Sequence, residues 1–445
     1  MKATAVRDDI RPVLTGRLVA LAAGLSIVVY LTPVEPPWGL VIVNGALLLA
    51  ALGDYLMTVK PSKIEVEREL PATIAMNAEG TITWRVRNPR NRRTVVRIAD
   101  ELVPSLGAER RRSTLSLPPR GRVSASVAIR PERRGRFDIN DLTVRVLGPL
   151  GLVARQGTQS LADYLRVYPT FHSKKQAELR VQRARVSEVG LRSVRGLGAG
   201  TEFEQLREYG PDDDFRRIDW AATARSGKPI VRTYRPEQNQ NVMVLLDTGR
   251  VMAGRVLDVP RLEHGMDAVM ALATVAGRLG DRVGMMAFDK GVRAEIASAP
   301  GKGQLAKVTE AMYELQPRLV ESDYRGAFVH MLSRSRRRSL VVIITEVGGQ
   351  SLADTLFPAL PLLVRKHLVV VAGVRDPDVD RWANAVPTES GTAFRKTAAV
   401  LALDDRSRIV AELTRRGAVV VDAVPGKLAA ELADNYLRAK ATGRL

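Results

Sequence analysis

Two acidic residues stand directly after apolar segments that read as buried strands. Asp247 follows "VMVLL", Glu346 follows "VVIIT", and a third acid, Asp323, lies in the loop "ESDYRGAF" that opens a helix. In an open parallel sheet, functional sites gather beyond the carboxyl ends of the strands. Three carboxylates that converge at this edge could bind a hard cation such as Mg²⁺. In the alternative interpretation, Asp247 and Asp323 cap helices or bond to nearby backbone amides.

A second group of chemically capable residues lies in "REYGPDDDFRRIDWAATARSGKPIVRTYRPE", which runs from Arg207 to Glu237. Exposed ion pairs contribute little stability, roughly under 1 kcal/mol each, whereas arginine forks on carboxylates around a stacked tryptophan contribute more. We therefore predict a partly buried network that fixes this segment onto the domain that follows. Its members would be Arg207, Asp213, Asp214, Arg216, Asp219 and Arg225 around Trp220. A solvated polar linker and a catalytic cluster are the alternatives.

The amino-acid composition excludes several kinds of catalytic and metal-binding site. Cysteine is absent, which excludes disulfides, thiolate metal sites and a cysteine nucleophile. The 4 histidines are scattered without ligand spacing, and the sequence has no glycine-rich phosphate loop or Ser/His/Asp arrangement. We therefore expect a protein that is not an enzyme, with Mg²⁺ at the acidic sheet edge as its candidate cofactor.

The elements that would position these residues fall into distinct segments. Residues 242–445 alternate apolar strands with amphipathic helices, which predicts an α/β domain with a mostly parallel, doubly wound sheet. Residues 61–168 alternate apolar and polar positions between turn signals, which predicts an all-β sandwich. Residues 169–241 form the charged segment that leads into the last domain.

The first 60 residues contain two apolar stretches that predict a transmembrane helical hairpin, at about 18–34 and 37–54. Prolines divide the two stretches, and Trp38 suits a membrane interface. Lysine and arginine flank both outer ends and are absent from the connecting loop, which predicts a multi-pass cell-membrane protein with its bulk in the cytoplasm. A signal peptide and a buried globular hairpin are the alternatives.

The formal net charge is +20, and the basic excess is heaviest in residues 61–168. A basic domain next to an anionic leaflet is attracted to it, so membrane lipid is one expected partner. Nucleic acid is not expected, because aromatic residues make up only 5% of the chain and no recognition motif is present.

The stretch "GAGTEFEQLREYGPDDDFRRIDWAATARSGKPIVRTYRPEQNQNVMVLLDTGRVM" resembles the signature of the DUF58 family, a domain of unknown function. One departure is Asp212, where the family usually has glycine. The resemblance extends to the layout of nearly the whole chain. The matching positions include Glu202, Phe203, Leu206, Arg207, Tyr209, Pro211, Asp213, Asp214, Arg216, Ile218, Asp219, Trp220, Ala224, Arg225, Gly227, Val231 and Arg232.

By the same resemblance, the last domain is similar to a von Willebrand factor type A domain. Such domains often carry a metal site built on D-x-S-x-S, a threonine and T-D. Here the first motif reads "DTGRV", so Gly249 and Val251 replace both hydroxyl residues, Asp323 replaces the threonine and Glu346 replaces the last aspartate. The family resemblance also implies a MoxR-type AAA+ ATPase as partner.

These observations favour a membrane-anchored cytoplasmic scaffold or adaptor that binds proteins and works with a MoxR-type ATPase in assembly or chaperone-like activity. A metal-dependent hydrolase centred on Asp247, Asp323 and Glu346 is one alternative. A basic protein that binds nucleic acid or a membrane surface is the other.

Overall fold

The computed structural model describes residues 5–8, 12–31, 36–183, 202–211, 213–235, 239–301, 303–335, 337–442 and 445. The chain divides into two compact units, Met1–Tyr168 and Pro169–Leu445. The two apolar stretches therefore group with the β-rich segment, and the charged signature segment groups with the α/β segment.

Two helices open the first unit, α1 (Gly16–Tyr30) and α2 (Pro36–Met57). The 22 residues of α2 span about 33 Å, compared with about 30 Å for the hydrocarbon core of a bilayer. Within the described residues, the stretch Pro37–Lys63 is long and apolar enough to cross a membrane, whereas α1 is shorter, at 15 residues. Residues 32–34, which the sequence assigned to the first span, lie outside the described residues.

The N-terminal segment also forms strands, which the sequence did not predict. Strands β1 (Ala5–Asp8) and β2 (Val13–Leu14) pair antiparallel with the long strand β10 (Val153–Tyr168). The pairing covers hydrogen-bonding groups on the edge of a 16-residue strand, which would otherwise be open to another chain. Tertiary pairing, rather than any local pattern of residues, explains these two short strands.

The rest of the first unit is made of two sheets. One has the order β1-β10-β9-β6-β7 with β2 and β4 also on β10, and the other has the order β3-β5-β8. Alternate residues point into one shared core around the fully buried Trp84, as the period-2 pattern predicts. The remaining strands are β3 (Glu65–Glu69), β4 (Thr73–Ala75), β5 (Gly80–Arg87), β6 (Thr94–Asp100), β7 (Arg112–Leu117), β8 (Arg122–Ile129) and β9 (Gly135–Leu147).

A turn between β9 and β10 joins the helical pair to the sheets. The buried carboxylate of Asp54, near the end of α2, accepts the backbone N–H groups of Leu150, Leu152 and Val153 at 2.7–3.0 Å. Thr15, just before α1, donates its hydroxyl to the carbonyls of Gly151 and Leu152. The start of α1 and the end of α2 are thus held by one turn, so both helices leave the sheets from the same place.

The second unit contains a six-stranded sheet with the order β17-β16-β13-β18-β19-β20. All neighbouring strands are parallel except the edge strand β17, which runs antiparallel to β16. Apolar cores lie on both faces, as the alternation of strands and helices predicts. The strands are β13 (Asn241–Asp247), β16 (Arg282–Phe288), β17 (Val292–Ala299), β18 (Ser339–Ile344), β19 (Leu368–Val374) and β20 (Val419–Ala423), and β14 (Arg255–Val256) and β15 (Val259–Pro260) form a separate pair.

Helices cover this sheet and one pair of them projects from it. Residues 174–183 are helical and are designated α3. Between β19 and β20, α11 (Pro377–Asn384) packs on α12 (Ser390–Arg415), whose exposed side chains include Phe394 and Leu401. The other helices are α4 (Trp220–Ser226), α5 (Arg250–Ala253), α6 (Arg261–Arg278), α7 (Gln304–Met312), α8 (Tyr324–Arg334), α9 (Gln350–Ala359), α10 (Pro361–Val364) and α13 (Leu428–Ala441).

Candidate functional site

Strand β13 lies at the point where the sheet changes direction. From β13 the chain proceeds outward through β16 and β17, and then crosses to β18 on the other side of β13. The carboxyl end of such a central strand opens onto a crevice between diverging connections, where open α/β sheets bind ligands. Asp247 is the last residue of β13 and therefore stands at this crevice.

The Asp247 carboxylate is fully buried and surrounded by polar groups. Its Oδ1 accepts the Gly249 N–H at 2.8 Å and the Ser322 hydroxyl at 2.5 Å. The hydroxyls of Tyr324 and Thr345 lie 2.7 Å and 2.8 Å from its Oδ2. Both oxygens of the carboxylate are therefore occupied by donors from the protein itself.

Tyr324 is a stable donor in this arrangement. Burial raises the pKa of its hydroxyl well above the ordinary value, and the charge of Asp247 raises it further. The ring is held by edge-to-face contacts with Phe288 and Phe328 at centroid distances of 5.4 Å and 6.2 Å. The hydroxyl is therefore protonated at neutral pH and lies within hydrogen-bonding distance of Asp247.

The departure from D-x-S-x-S at Gly249 has a steric explanation. A Cβ atom at residue 249 would lie 2.2 Å from Ser322 Oγ and 2.8 Å from the Val320 carbonyl oxygen. Ser322 thus supplies, from another loop, a hydroxyl in the place where a side chain at residue 249 would stand. This exchange could not be predicted from the sequence, because Gly249 and Ser322 are far apart in the chain.

The three acids proposed as a metal site are not brought together. Asp323 caps α8, with its carboxylate accepting the Gly326 N–H at 2.9 Å, so it follows the alternative interpretation. Glu346 Oε1 accepts from Arg406 at 2.6 Å, and its Oε2 lies 2.7 Å from Arg261. Across the described part of the chain there is no group of three His, Asp or Glu residues that could hold a metal. These residues do not fit Mg²⁺, because each carboxylate is already engaged by different donors.

Glu346 instead belongs to a partly buried ion-pair group at the same sheet edge. Arg406 of α12 donates two hydrogen bonds to Asp422 of β20, at 2.7 Å and 2.5 Å, besides its bond to Glu346. Burial lowers the pKa of Arg406, but the two carboxylates outweigh it and raise the pKa above its ordinary value. This group ties the projecting helix α12 to the ends of two strands.

Residues 202–235 form a small module, here named the signature module. Strands β11 (Glu202–Glu208) and β12 (Ile230–Arg235) pair antiparallel, and a 3-10 turn (Phe215–Arg217) and α4 fill the connection. The backbone of Tyr209 bonds to Pro229 across the hairpin. Glu202 begins β11, but its side chain and the whole of Asp212 lie outside the described residues.

The polar residues of the signature module form separate pairs. Arg207 binds Asp213 at 2.5 Å, and Arg232, which was not among the predicted members, binds Asp219 at 2.7 Å. Asp214 and Asp219 also cap the 3-10 turn and α4 by accepting the N–H groups of Arg216 and Ala222. Arg225 bonds to Ala221 within α4. The continuous network that we predicted is therefore replaced by local pairs and caps.

Two of these aspartates have lowered pKa values. Burial raises the pKa of Asp213, but the Gly210 N–H and the Arg207 guanidinium outweigh it and hold the pKa below the ordinary value. The Ala222 N–H and Arg232 lower the pKa of Asp219. Both carboxylates are therefore ionised at neutral pH and stabilise the turns that they close.

The prediction that Trp220 is buried within the network is wrong. Trp220 is 71% exposed and the neighbouring Phe215 is 65% exposed. The aspartates there bond to nearby backbone amides and arginines, and the Trp220 ring is left mostly exposed. The signature module therefore presents two large aromatic side chains to its surroundings.

Comparisons with known proteins find a family match over most of this module and part of the α/β segment that follows it. Residues 205–387 match the family model described as "Protein of unknown function DUF58", which confirms the resemblance for that part of the chain. The chain is similar to uncharacterized protein Rv1480 of Mycobacterium tuberculosis, with 25% identity over 182 residues, 40% of this chain and 56% of that protein. It is also similar to uncharacterized protein YeaD of Bacillus subtilis, with 26% identity over 114 residues, 26% of this chain and 28% of that protein. The matches thus span about half the length of the mycobacterial relative, and less of the other.

Among solved structures, the chain is similar to the crystal structure of conserved hypothetical protein BatB from Bacteroides thetaiotaomicron. The match has 14% identity, covers 46% of this chain and 100% of that one, and has a TM-score of 0.33.

Proposed function

We propose that this protein is a membrane-anchored scaffold or adaptor that binds other proteins and performs no covalent chemistry. The bulk of the chain would lie in the cytoplasm, with α1 and α2 in the cell membrane. The resemblance to the family supplies the proposed partner, a MoxR-type AAA+ ATPase in an assembly or chaperone-like activity.

The anchoring is supported by the surface of the helical pair. Large apolar side chains on both helices are exposed, including Ile27, Leu48 and Leu49, and a continuous apolar surface of this kind needs an apolar environment. Because one turn holds the start of α1 and the end of α2, a bilayer that receives α2 would also receive α1.

The observation that carries the binding function is the exposure of Trp220 on the signature module. Exposed tryptophans are rare on soluble surfaces and dominate the energetics of many protein interfaces. The module holds Trp220 outward on a helix whose cap, Asp219, is paired with Arg232, so the ring is presented by a preorganised support. A preorganised aromatic anchor loses little conformational entropy on binding.

The state of Asp247 supports a function without catalysis. Both oxygens of Asp247 accept hydrogen bonds from the protein, so action as a general base or metal ligand would require one of these donors to be displaced. The strand order, with an antiparallel edge strand β17, supports the proposed likeness to a type A domain. In this proposal that unit is a rigid support for binding surfaces.

Binding to a purified MoxR-type ATPase tests the proposal. The full chain in nanodiscs should bind the ATPase, and Trp220→Ala should weaken the affinity at least about tenfold, as expected for an aromatic hot spot. Phe394→Ala is the matched control, because Phe394 is 77% exposed in the same unit and lies outside the module. Equal effects of the two variants would overturn the assignment of Trp220, and metal-dependent hydrolysis that is lost in Asp247→Ala would overturn the proposal as a whole.

A further inference from the structure

The end of the helical pair that meets the sheets combines apolar and cationic groups. This region, here named the helix base, comprises the first turn of α1, the last turn of α2 and the turn 148–153 between them. Leu150, at the tip of that turn, is 60% exposed. Gly148 packs so closely on Asp54 that a Cβ atom there would lie 2.3 Å from the carboxylate, so the turn is fixed against α2.

Three arginines surround the helix base. The Arg17 guanidinium lies against the turn. Its Nη1 is 3.0 Å from the position that a Cβ atom would occupy at Gly151. Arg155 donates to the Tyr55 carbonyl at 3.1 Å and stacks over the Tyr55 ring, with 4.2 Å between Cζ and the ring centroid. Arg92 donates to the Met57 carbonyl. The three side chains come from α1 and from two parts of the sheet-forming chain, yet they meet around the same helix ends.

The Asp54 carboxylate, which lies at the helix base, does not form an ion pair with any of the three arginines. Its two oxygens accept hydrogen bonds from three backbone amides inside the turn. None of the three arginines has an ion pair with a carboxylate within the part of the chain that the structure describes. Each guanidinium carries five N–H donors, so Arg92 and Arg155 retain donors beyond those that bond to α2. Among the side chains that the structure describes, the helix base therefore has an excess of positive charge directly beside an exposed apolar surface.

We propose that the helix base binds the phosphate groups of anionic phospholipids, with Arg17, Arg92 and Arg155 as the cationic contacts and Leu150 among the upper acyl chains. The inference rests on the proposed membrane anchoring and adds the lipid class that the anchor selects. Arginine suits the role because its planar fork matches the oxygens of a phosphate. The apolar surface of α1 and α2 continues from the cations, which fits a lipid and does not fit a free anion.

The test is native mass spectrometry of the full chain in detergent, titrated with phosphatidylglycerol, with phosphatidylcholine of the same acyl chains, or with inorganic phosphate. The wild type should bind phosphatidylglycerol more tightly than phosphatidylcholine. Arg17→Gln should reduce that preference about fivefold, the factor corresponding to about 1 kcal/mol per cation near an anionic surface. Arg17→Gln/Arg155→Gln should reduce it further.

Arg133→Gln is the matched control. Arg133 is an exposed arginine of the same unit, and it precedes β9 at the end of that strand remote from the turn, about 40 Å away at roughly 3.3 Å per residue. Its replacement should leave the lipid preference unchanged. Equal binding of the two lipids, or an equal loss in Arg133→Gln, would overturn the proposal. Displacement of phosphatidylglycerol by millimolar phosphate would overturn the assignment to lipid.

Carbonate extraction of membranes separates this proposal from the anchoring on which it rests. Wild type and Arg17→Gln should both stay in the membrane fraction, because the apolar helices are unchanged. If carbonate releases the wild type from the membrane, the proposed anchoring is wrong. If the protein stays in the membrane but shows no preference for phosphatidylglycerol, only the proposed headgroup site is wrong.

Discussion

The hydroxyl of Tyr324 lies 2.7 Å from Oδ2 of Asp247, a residue 77 positions earlier in the chain. This bond closes the carboxyl end of the central strand, where α/β proteins commonly hold a ligand. The sheet edge is therefore a stable surface built around a satisfied carboxylate.

Replacement of Tyr324 by phenylalanine tests that closure. Tyr324→Phe keeps the ring contacts but removes a donor from a buried carboxylate, so it should lower the free energy of unfolding by about 1–3 kcal/mol. Thermal unfolding of the full chain measures the effect. Ser333→Ala, which removes an exposed hydroxyl bonded to the His330 carbonyl in α8, should change stability by under about 0.5 kcal/mol. Equal melting temperatures for Tyr324→Phe and the wild type would contradict this role.

The ion-pair group around Arg406 predicts a large difference between two arginines of one helix. Arg406 has a side chain 12% exposed, and Arg406→Gln removes the cation that the partly buried Glu346 and Asp422 share. Because these side chains are 12–16% exposed and Arg261 still faces Glu346, we expect a smaller loss than for a fully buried pair, about 1–3 kcal/mol. Arg408 pairs with Asp404 on the exposed side of α12, and Arg408→Gln should cost under about 1 kcal/mol. Chemical denaturation followed by circular dichroism compares them, and similar midpoints would refute the structural role of the group.

The attachment of the helical pair depends on Asp54. Asp54→Asn replaces a carboxylate that accepts three amide hydrogen bonds with a group that has one acceptor oxygen, so at least one buried N–H loses its partner, at about 1–3 kcal/mol. Hydrogen exchange at the amides of Leu150, Leu152 and Val153 should accelerate. Asp163→Asn, which alters an exposed carboxylate bonded to its neighbour, should leave those three amides protected. Unchanged protection in Asp54→Asn would show that the turn is held by other contacts.

The ion pair between Arg207 and Asp213 predicts a pH dependence of the signature module. The folded-state pKa of Asp213 lies below its ordinary value of 3.8, so the stabilisation is complete above that pH and is lost as the pH falls through the folded-state pKa. The amide chemical shift of Gly210, which donates to Asp213, reports the titration. Arg207→Gln should move the midpoint upward, and Arg225→Gln, which alters a side chain bonded only within α4, should not. A midpoint that does not respond to Arg207→Gln would exclude the pair as the cause.

Most of the helices and strands could be predicted from the sequence, but the hydrogen-bond partners of the acidic residues could not. Apolar strands alternating with helices indicate a sheet covered on both faces, and the position of Asp247 at a strand end follows directly from the pattern. The partners of Asp247 could not be predicted, because Ser322, Tyr324 and Thr345 reach it from later loops and strands. Two neighbouring residues point in opposite directions: the Asp323 side chain is exposed and caps α8, whereas the Tyr324 side chain is buried.

Contacts that depend on the folded structure also explain why the burial of Trp220 was predicted wrongly. A tryptophan among charges suggests a buried stacking partner, but the aspartates there are used as caps, which their position before short helices could have indicated. The strands β1 and β2 were missed because residues 5–14 have no strong strand pattern and pair only where β10 offers an open edge. Long-range pairing of this kind carries no local signal.

The most direct test of the central claim is photo-crosslinking in native membranes. A p-benzoylphenylalanine residue in place of Phe215, which is exposed on the same module as Trp220, should crosslink to the MoxR-type ATPase, whereas the same residue in place of Phe394 should not. Crosslinking from both positions equally, or from neither in membranes that contain both proteins, would contradict the account of this protein as an anchored adaptor that binds through its exposed aromatic pair.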